Sequence, residues 1–131
     1  VIIHSGPPPW SEPLQIGQLA KRFPEVKFIF AHMGITDLWK EALDIAKENS
    51  NVLLETSGAP ALAIKLAAQD VGPERIVFGS DTPFGGKGNL LFQMNKIKLL
   101  NLGSKTEELI FGGNLQRILK INGSSPKIKL L

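Results

Sequence analysis

The chain of 131 residues contains no cysteine, which excludes disulfide bridges, thiolate metal sites and a cysteine nucleophile. It has no apolar run near the roughly 18 residues of a membrane-spanning helix, and no signal-peptide pattern opens it. Its fifteen Lys and Arg residues are scattered among twelve acids, whereas a nucleic-acid binder concentrates basic residues on one stripe. These absences predict a cytoplasmic protein that binds neither nucleic acid nor a membrane.

Four short apolar runs lie at residues 1–4, 26–32, 52–57 and 76–80. Each is nearly continuous in hydrophobicity, as expected for strands that are buried on both faces of a parallel sheet. The spacing of about 25 residues accommodates one strand, one helix and two short loops. The runs therefore predict an α/β fold of four consecutive βα units over residues 1–121, followed by a C-terminal tail at 122–131.

Helical patterns fill the gaps between these runs, and their ends carry local signals. Three helices are predicted over residues 12–22, 60–70 and 89–102, and another follows Thr36 as its N-cap. A capping box at 104–107 predicts the start of a short helix, and Asn114 is predicted to cap a last helix over residues 115–121. Such a unit order belongs either to a small open sheet or to half of a (β/α)8 barrel, since a whole barrel needs about 250 residues.

Polar residues stand where each predicted strand ends, and parallel strands bring these ends to one rim of a sheet. The two histidines of the chain, His4 and His32, occupy equivalent positions in consecutive units, and Asp81 follows the fourth strand. A single histidine there is usually a hydrogen-bonded structural residue, but two of them beside Asp81 favour a functional site. This set suits zinc or a similar divalent ion, and it also suits proton transfer. Trp10 is a candidate wall of the substrate pocket, with packing against the first helix as the alternative.

Five segments together resemble one family. In chain order they are IIHSG, LAKRFPEVKFIFAHMG, NVLLETSG, RIVFGSDTPFG and IFGGNLQRIL. They are similar to the C-terminal half of the amidohydrolase-related metal-dependent hydrolases, the branch called amidohydrolase 2, over about residues 1–121. The resemblance implies half of a (β/α)8 barrel that hydrolyses C–N or C–O bonds of a small-molecule substrate around a divalent metal, zinc or else manganese. A decarboxylase subgroup of the same family is the alternative activity.

The resemblance also implies roles for individual residues. His4 is similar to the metal-ligand histidine that ends the fifth strand, and His32 to the sixth-strand histidine that lies at the metal centre and polarises or orients the substrate. Asp81 is similar to the eighth-strand aspartate that contacts the metal and takes a proton from the attacking water. Asn114 and Arg117 match positions that shape the end of the barrel.

The family's first strand supplies a His-x-His-type or related acidic pair, and nothing in this chain matches it. Four strands alone also leave two open edges and an apolar inner face. We therefore expect a chain that is inactive alone and completed by a missing N-terminal half-barrel. The alternatives are a binding module that pairs with a second copy as a homodimer, and a non-catalytic open sheet.

Overall fold

A sheet of four parallel strands forms the centre of the computed structural model, which describes residues 1–9 and 11–121. The strands lie side by side in chain order: β1 (Ile2–His4), β2 (Phe28–Ala31), β3 (Val52–Glu55) and β4 (Ile76–Val77). The helices are α1 (Pro13–Arg22), α2 (Trp39–Glu48), α3 (Ala61–Asp70), α4 (Asn89–Leu99), α5 (Ser104–Glu108) and α6 (Asn114–Leu119). The predicted α/β order of four βα units is confirmed. The predicted tail at 122–131 lies outside the described residues.

Several predicted caps are wrong, and the reasons are local. Thr36 does not cap α2, because the chain first forms a 3₁₀ turn over His32–Gly34 and α2 begins only at Trp39. The capping box at 104–107 makes no side-chain bond, since Gly103 occupies the cap position with a positive φ of 90°. Asn114 is buried and lies inside continuous helical backbone, so it does not cap α6.

The two faces of the sheet are both covered, in unequal amounts. Alternate strand residues, among them Phe30, Leu54 and Ile76, are fully buried in a large core against the helices. On the opposite face Ile29, Leu53 and Val77 are at most 9% exposed and form a separate small cluster with Ile118 of α6. The expected open inner face is therefore wrong for these three positions, because α6 folds back over them.

The two edges of the sheet differ. The edge of β4 is occupied by the chain's own C-terminal part: Phe78 N–H donates to Ile110 O at 2.9 Å, and Asn114 Nδ2 donates to Ile76 O at 2.7 Å. β4 ends at Val77 instead of residue 80 as predicted, where its pairing with β3 stops. No strand of the described part of the chain pairs with the outer edge of β1. Neither outer edge is thus paired with a strand among residues 1–9 and 11–121, but the edge of β4 is partly covered by contacts from residues 110 and 114.

Asn51, which precedes β3, ties the end of α1 to the sheet. It is 5% exposed, and its Nδ2 lies within 3.1 Å of the carbonyl oxygens of Ala20, Phe23 and Val26. These carbonyls belong to the last turn of α1 and to the loop that follows, where the backbone has no helical partners. One buried amide thus supplies hydrogen-bond donors to carbonyl groups at the end of α1 and in the loop that leads to β2.

No helix among the described residues is long and apolar enough to cross a membrane.

We predict that Asn51→Ala lowers the free energy of unfolding by about 1–3 kcal/mol, since it removes donors from buried carbonyls. The matched change at the exposed neighbour, Ser50→Ala, is expected to stay within about 0.5 kcal/mol of the parent protein. Urea denaturation of the three proteins measures both values. Equal losses in the two variants would contradict the assigned role of Asn51.

Candidate functional site

The two histidines meet at the carboxyl ends of β1 and β2. His4 is the last residue of β1 and is exposed, and His32 directly follows β2 and is half-buried. Their ring centroids are 4.9 Å apart, and the rings meet edge to face at 66°. The structure therefore brings together the pair that the strand-end pattern predicted.

The backbone around His32 adopts conformations that are rare for residues with side chains. His32, Met33 and Ile35 all have positive φ, of 68°, 48° and 57°, and Gly34 lies between them at 81°. A β-branched residue such as Ile35 is strained there, and such strain concentrates at functional sites. The buried hydroxyl of Ser5 holds this turn: it donates to Ala31 O at 2.7 Å and accepts from Gly34 N–H at 2.9 Å.

A buried carboxylate at the end of β3 organises the region next to His32. Glu55 is 7% exposed. Its Oε2 accepts from His32 N–H at 2.9 Å and from Ser57 Oγ at 2.7 Å, and its Oε1 accepts from Ser57 N–H at 2.6 Å. Three donors therefore compensate the buried charge, as such a group requires.

This arrangement determines which nitrogen of His32 carries the proton. Ser57 Oγ lies 2.8 Å from His32 Nδ1 and has one proton, which it donates to the acceptor-only carboxylate of Glu55. The hydroxyl can then only accept from His32, so Nδ1 must carry the hydrogen. His32 Nε2 is left with a free lone pair that can bind a metal ion or accept a proton.

Gly79 gives Glu55 the room it needs. A Cβ at position 79 would overlap the carboxylate of Glu55, so a side chain there would push Glu55 away from Ser57. Gly79 N–H also lies 3.3 Å from the Thr56 hydroxyl, which holds the two strand ends together.

Lys96 of α4 crosses to the same strand end. Its Nζ donates to Thr56 O at 3.0 Å and to Ala59 O at 2.8 Å. Burial lowers the pKa of Lys96 from 10.5 to about 8, and the negative charge of Glu55 partly opposes this shift. Lys96 thereby fixes the loop after β3 and adds a cation near the carboxylate.

The residues present fit a divalent metal in donor type, but they do not complete a ligand set. Two imidazoles 4.9 Å apart, one with a nitrogen lone pair fixed by its neighbours, are suitable nitrogen ligands. Within residues 1–9 and 11–121, however, no three His, Asp or Glu side chains are placed to hold one ion. Asp81 is exposed, with a φ of 56°, and is not brought into such a group. Its metal role stays a prediction, and Trp10 lies outside the described residues.

Glu55 and Ser57 are site residues that the sequence predictions did not include. The available signal was an acid inside an otherwise apolar, fully buried strand, because such a charge needs partners. Lys96 was also not predicted, and it faces inward on α4 beside the buried Gln93 and Ile97.

Asn114 and Arg117 hold the turn before β4: Asn114 donates to Pro73 O and Arg117 to Glu74 O, both at 2.7 Å.

We predict that in Ser57→Ala the His32 ring is no longer held in the tautomer with hydrogen on Nδ1, because the variant lacks the acceptor of that hydrogen. Nitrogen NMR of the ring at one neutral pH should show the proton on Nδ1 in the parent protein and a mixture of both tautomers in the variant. His4 in the same spectra and the Ser50→Ala variant are controls that should not change. A parent spectrum with the proton on Nε2 would refute the hydrogen-bond directions.

We predict that the stability of the protein rises between about pH 8 and pH 10, through Lys96. Its folded pKa of about 8 lies below the unfolded value of 10.5, so only the unfolded chain binds the proton in this window. Urea denaturation at pH 7 and pH 10 should show a smaller rise in Lys96→Met than in the parent. Lys98→Met, at an exposed position of the same helix, should keep the full rise. An unchanged rise in Lys96→Met would show that Lys96 is not responsible.

Comparisons with known proteins place this geometry in a family. The family model described as amidohydrolase matches residues 1–121. No significant relative was found among curated proteins. A TIM-barrel protein from Bordetella bronchiseptica is 22% identical, with a TM-score of 0.75, over 92% of this chain and 45% of its own.

Two further solved structures are similar. An amidohydrolase from Burkholderia multivorans with bound zinc is 14% identical, with a TM-score of 0.69, over 88% of this chain and 51% of its own. A dihydroxybenzoic acid decarboxylase from Polaromonas sp. JS666, with bound manganese and an inhibitor, is 22% identical, with a TM-score of 0.63, over 90% of this chain and 43% of its own.

At these identities the solved structures show the fold alone, and the chain spans about half the length of each of them. The four parallel strands therefore correspond to about half of a TIM barrel. Since the family model covers nearly the whole sequence, the chain belongs to the amidohydrolase family.

Proposed function

We propose that this chain supplies the two-histidine part of the catalytic site in a metal-dependent hydrolase, which cleaves a C–N or C–O bond of a small amide, ester or lactone. The observation that carries the proposal is the free lone pair of His32 Nε2 beside His4. It follows from the hydrogen bonds of Ser57 and Glu55. Such an atom is what a ligand or a general base in this position requires.

His4 and His32 would hold a divalent ion together with ligands from outside this pair, and Asp81 is our candidate for one of them. The ion supplies Lewis acidity that polarises a carbonyl group and lowers the pKa of water. Zinc is the ion we propose, because imidazole nitrogens suit it, and manganese is the alternative. The similar structures with bound zinc and bound manganese support a divalent ion in general.

The chain's own residues also account for proton movement. His32 Nε2 has one lone pair, so it accepts a proton only when it does not bind the ion. In that case Nδ1–H remains bonded to Ser57, and the negative charge of Glu55 stabilises the imidazolium. Asp81, in the exposed segment after β4, is the second group we propose as an acceptor of the proton from the attacking water. Trp10 is proposed to line the substrate pocket.

Decarboxylation is the second candidate activity, favoured by the structural likeness to the dihydroxybenzoic acid decarboxylase. The two activities differ in their products. A hydrolase consumes water and releases an acid with an amine or alcohol, whereas a decarboxylase releases carbon dioxide.

We further propose that the active enzyme contains a second set of barrel strands, added at the open edge of β1. A missing N-terminal half-barrel is the first choice, and a second copy of this chain is the alternative. The free edge of β1 and the exposed apolar side chains of Val1 (67%) and Ile2 (64%) support this position.

Zinc titration of the chelator-treated chain by calorimetry tests the metal part of this proposal. We expect binding that falls at least about tenfold in His4→Ala, in His32→Ala and in Asp81→Asn, as the loss of a ligand predicts. Asp37→Asn, an exposed acid in the loop before α2, is the matched control and should bind like the parent. If the two histidine variants bind zinc as tightly as the parent, the proposed metal site is wrong.

Activity assays test the rest of the proposal, with the protein's mass verified and with zinc or manganese added. Hydrolysis is measured on a panel of esters and lactones, and decarboxylation is measured as carbon dioxide release from hydroxybenzoates. The chain alone should show neither activity, and light scattering should show a monomer if the complement is another half-barrel. A dimer would identify the second copy as the complement. Stoichiometric metal binding with full hydrolysis by the monomer would overturn the half-site proposal.

A further inference from the structure

A cavity of about 210 Å³ lies at the end of the sheet opposite the histidine pair, and we call it the basal cavity. Three of the residues that line it stand just before strands: Lys27 before β2, Ser50 before β3 and Arg75 before β4. Helix α6 adds Arg117 and Ile118 to the wall. Because the strands are parallel, their amino ends lie at the edge of the sheet that faces away from the two histidines.

Three cationic side chains line the basal cavity without acidic partners. Lys27, Arg75 and Arg117 take part in no ion pair within residues 1–9 and 11–121. Glu74 also lines the cavity, but its carboxylate lies against Gly72, where an added Cβ would overlap it. The wall therefore carries three positive formal charges and one negative one, which leaves a net charge of +2.

Backbone carbonyl groups hold the two guanidinium groups at this wall. Arg75 makes four hydrogen bonds to carbonyl oxygens at the ends of α2 and α3, the shortest of them to Ala46 O at 2.6 Å. Arg117 Nη2 donates to Glu74 O at 2.7 Å, and this bond lies in an exposed position. A guanidinium group has five N–H donors, so Arg117 keeps four of them free. Carbonyl oxygens carry no net charge, and the two positive charges remain unneutralised.

The floor of the basal cavity is apolar. Leu53 is 3% exposed and packs with Ile118 of α6 in the small cluster on the inner face of the sheet. Charges of one sign beside a low-dielectric wall focus the electrostatic field and concentrate ions of the opposite sign. The volume is below the roughly 300–1,000 Å³ of sites for drug-sized ligands, so the cavity suits a smaller molecule.

A phosphate group matches this combination of charge and donors. A phosphate monoester carries nearly two negative charges at neutral pH, which balances the net charge of the wall, whereas a carboxylate carries only one. Guanidinium groups bind phosphate oxygens through charge-assisted hydrogen bonds. We propose that the basal cavity binds the phosphate group of a small phosphate monoester, whose organic substituent lies on the apolar floor.

This site is independent of the proposed metal site. It uses none of His4, His32 and Asp81 and lies at the other end of the sheet. A bound phosphate would connect the segments before β2 and β4 with α6, and a ligand that binds only the folded chain stabilises it. The proposal therefore stands or falls separately from the proposed catalytic activity.

Three probes test the proposal: phenyl phosphate, inorganic phosphate and benzyl alcohol. Each is titrated into the isotopically labelled full chain at constant ionic strength, and binding is followed by NMR of the Nε–H groups of Arg75 and Arg117. We expect phenyl phosphate to bind most tightly, since it supplies both the dianion and an apolar group, and benzyl alcohol to cause no shift. Inorganic phosphate that binds as tightly as phenyl phosphate would overturn the assignment of a monoester.

Variants of the cavity wall complete the experiment. Lys27→Gln and Arg117→Gln should each weaken phenyl phosphate binding about fivefold, the factor for one exposed charge pair. Glu74→Gln should strengthen it, because the wall loses its negative charge. Lys65→Gln, at an exposed position of α3 outside the cavity, is the matched control and should bind like the parent.

Arg75 is left unchanged in these variants, because it also holds the ends of α2 and α3. Unchanged affinity in both Lys27→Gln and Arg117→Gln would overturn the proposal. An equal loss in Lys65→Gln would also overturn it, since the anion would then respond only to the overall positive charge of the chain.

Discussion

The carboxylate of Glu55 is the group on which the arrangement of the rim depends. A charge that is 7% exposed must be surrounded by donors, and here they come from the backbone of His32 and from both polar groups of Ser57. Satisfying this one charge therefore joins the end of β2 to the end of β3. The orientation of the His32 ring and the location of its proton are consequences of the same requirement.

Helix α4 extends this organisation with a single polar stripe. Asn89, Gln93 and Lys96 follow one another at the helical spacing of four and three residues, which places them on one face. Asn89 holds the loop after β4, and Lys96 holds the loop after β3. One helix thus fixes two loops at the rim, although its three leucines are exposed.

The sequence is sufficient to predict the four βα units and the pair of histidines, because continuous apolar runs and strand-end polar residues depend on local spacing. It is not sufficient to predict the helix starts at Trp39 and Ser104, where a positive φ in the preceding turn outweighs the capping preference of Thr36 or Ser104. The hydrogen bonds of Ser57 to Glu55 and His32 could not be predicted from the sequence either, since they depend on the side-chain directions of two strands. The cover that α6 provides for Leu53 is a tertiary contact with no local signal.

The capped edge of β4 limits how this protein can associate. Strand-edge association becomes an open-ended fibre only when both edges of a sheet accept a neighbour, as in cross-β assemblies. Here Ile110 and Asn114 each hold one hydrogen-bonding group on the edge of β4, whereas within residues 1–9 and 11–121 no strand pairs with the outer edge of β1. Two molecules that meet through β1 would turn their partly covered β4 edges outward, so adding a further strand there, in a fibre or in a closed barrel, requires these two contacts to be displaced.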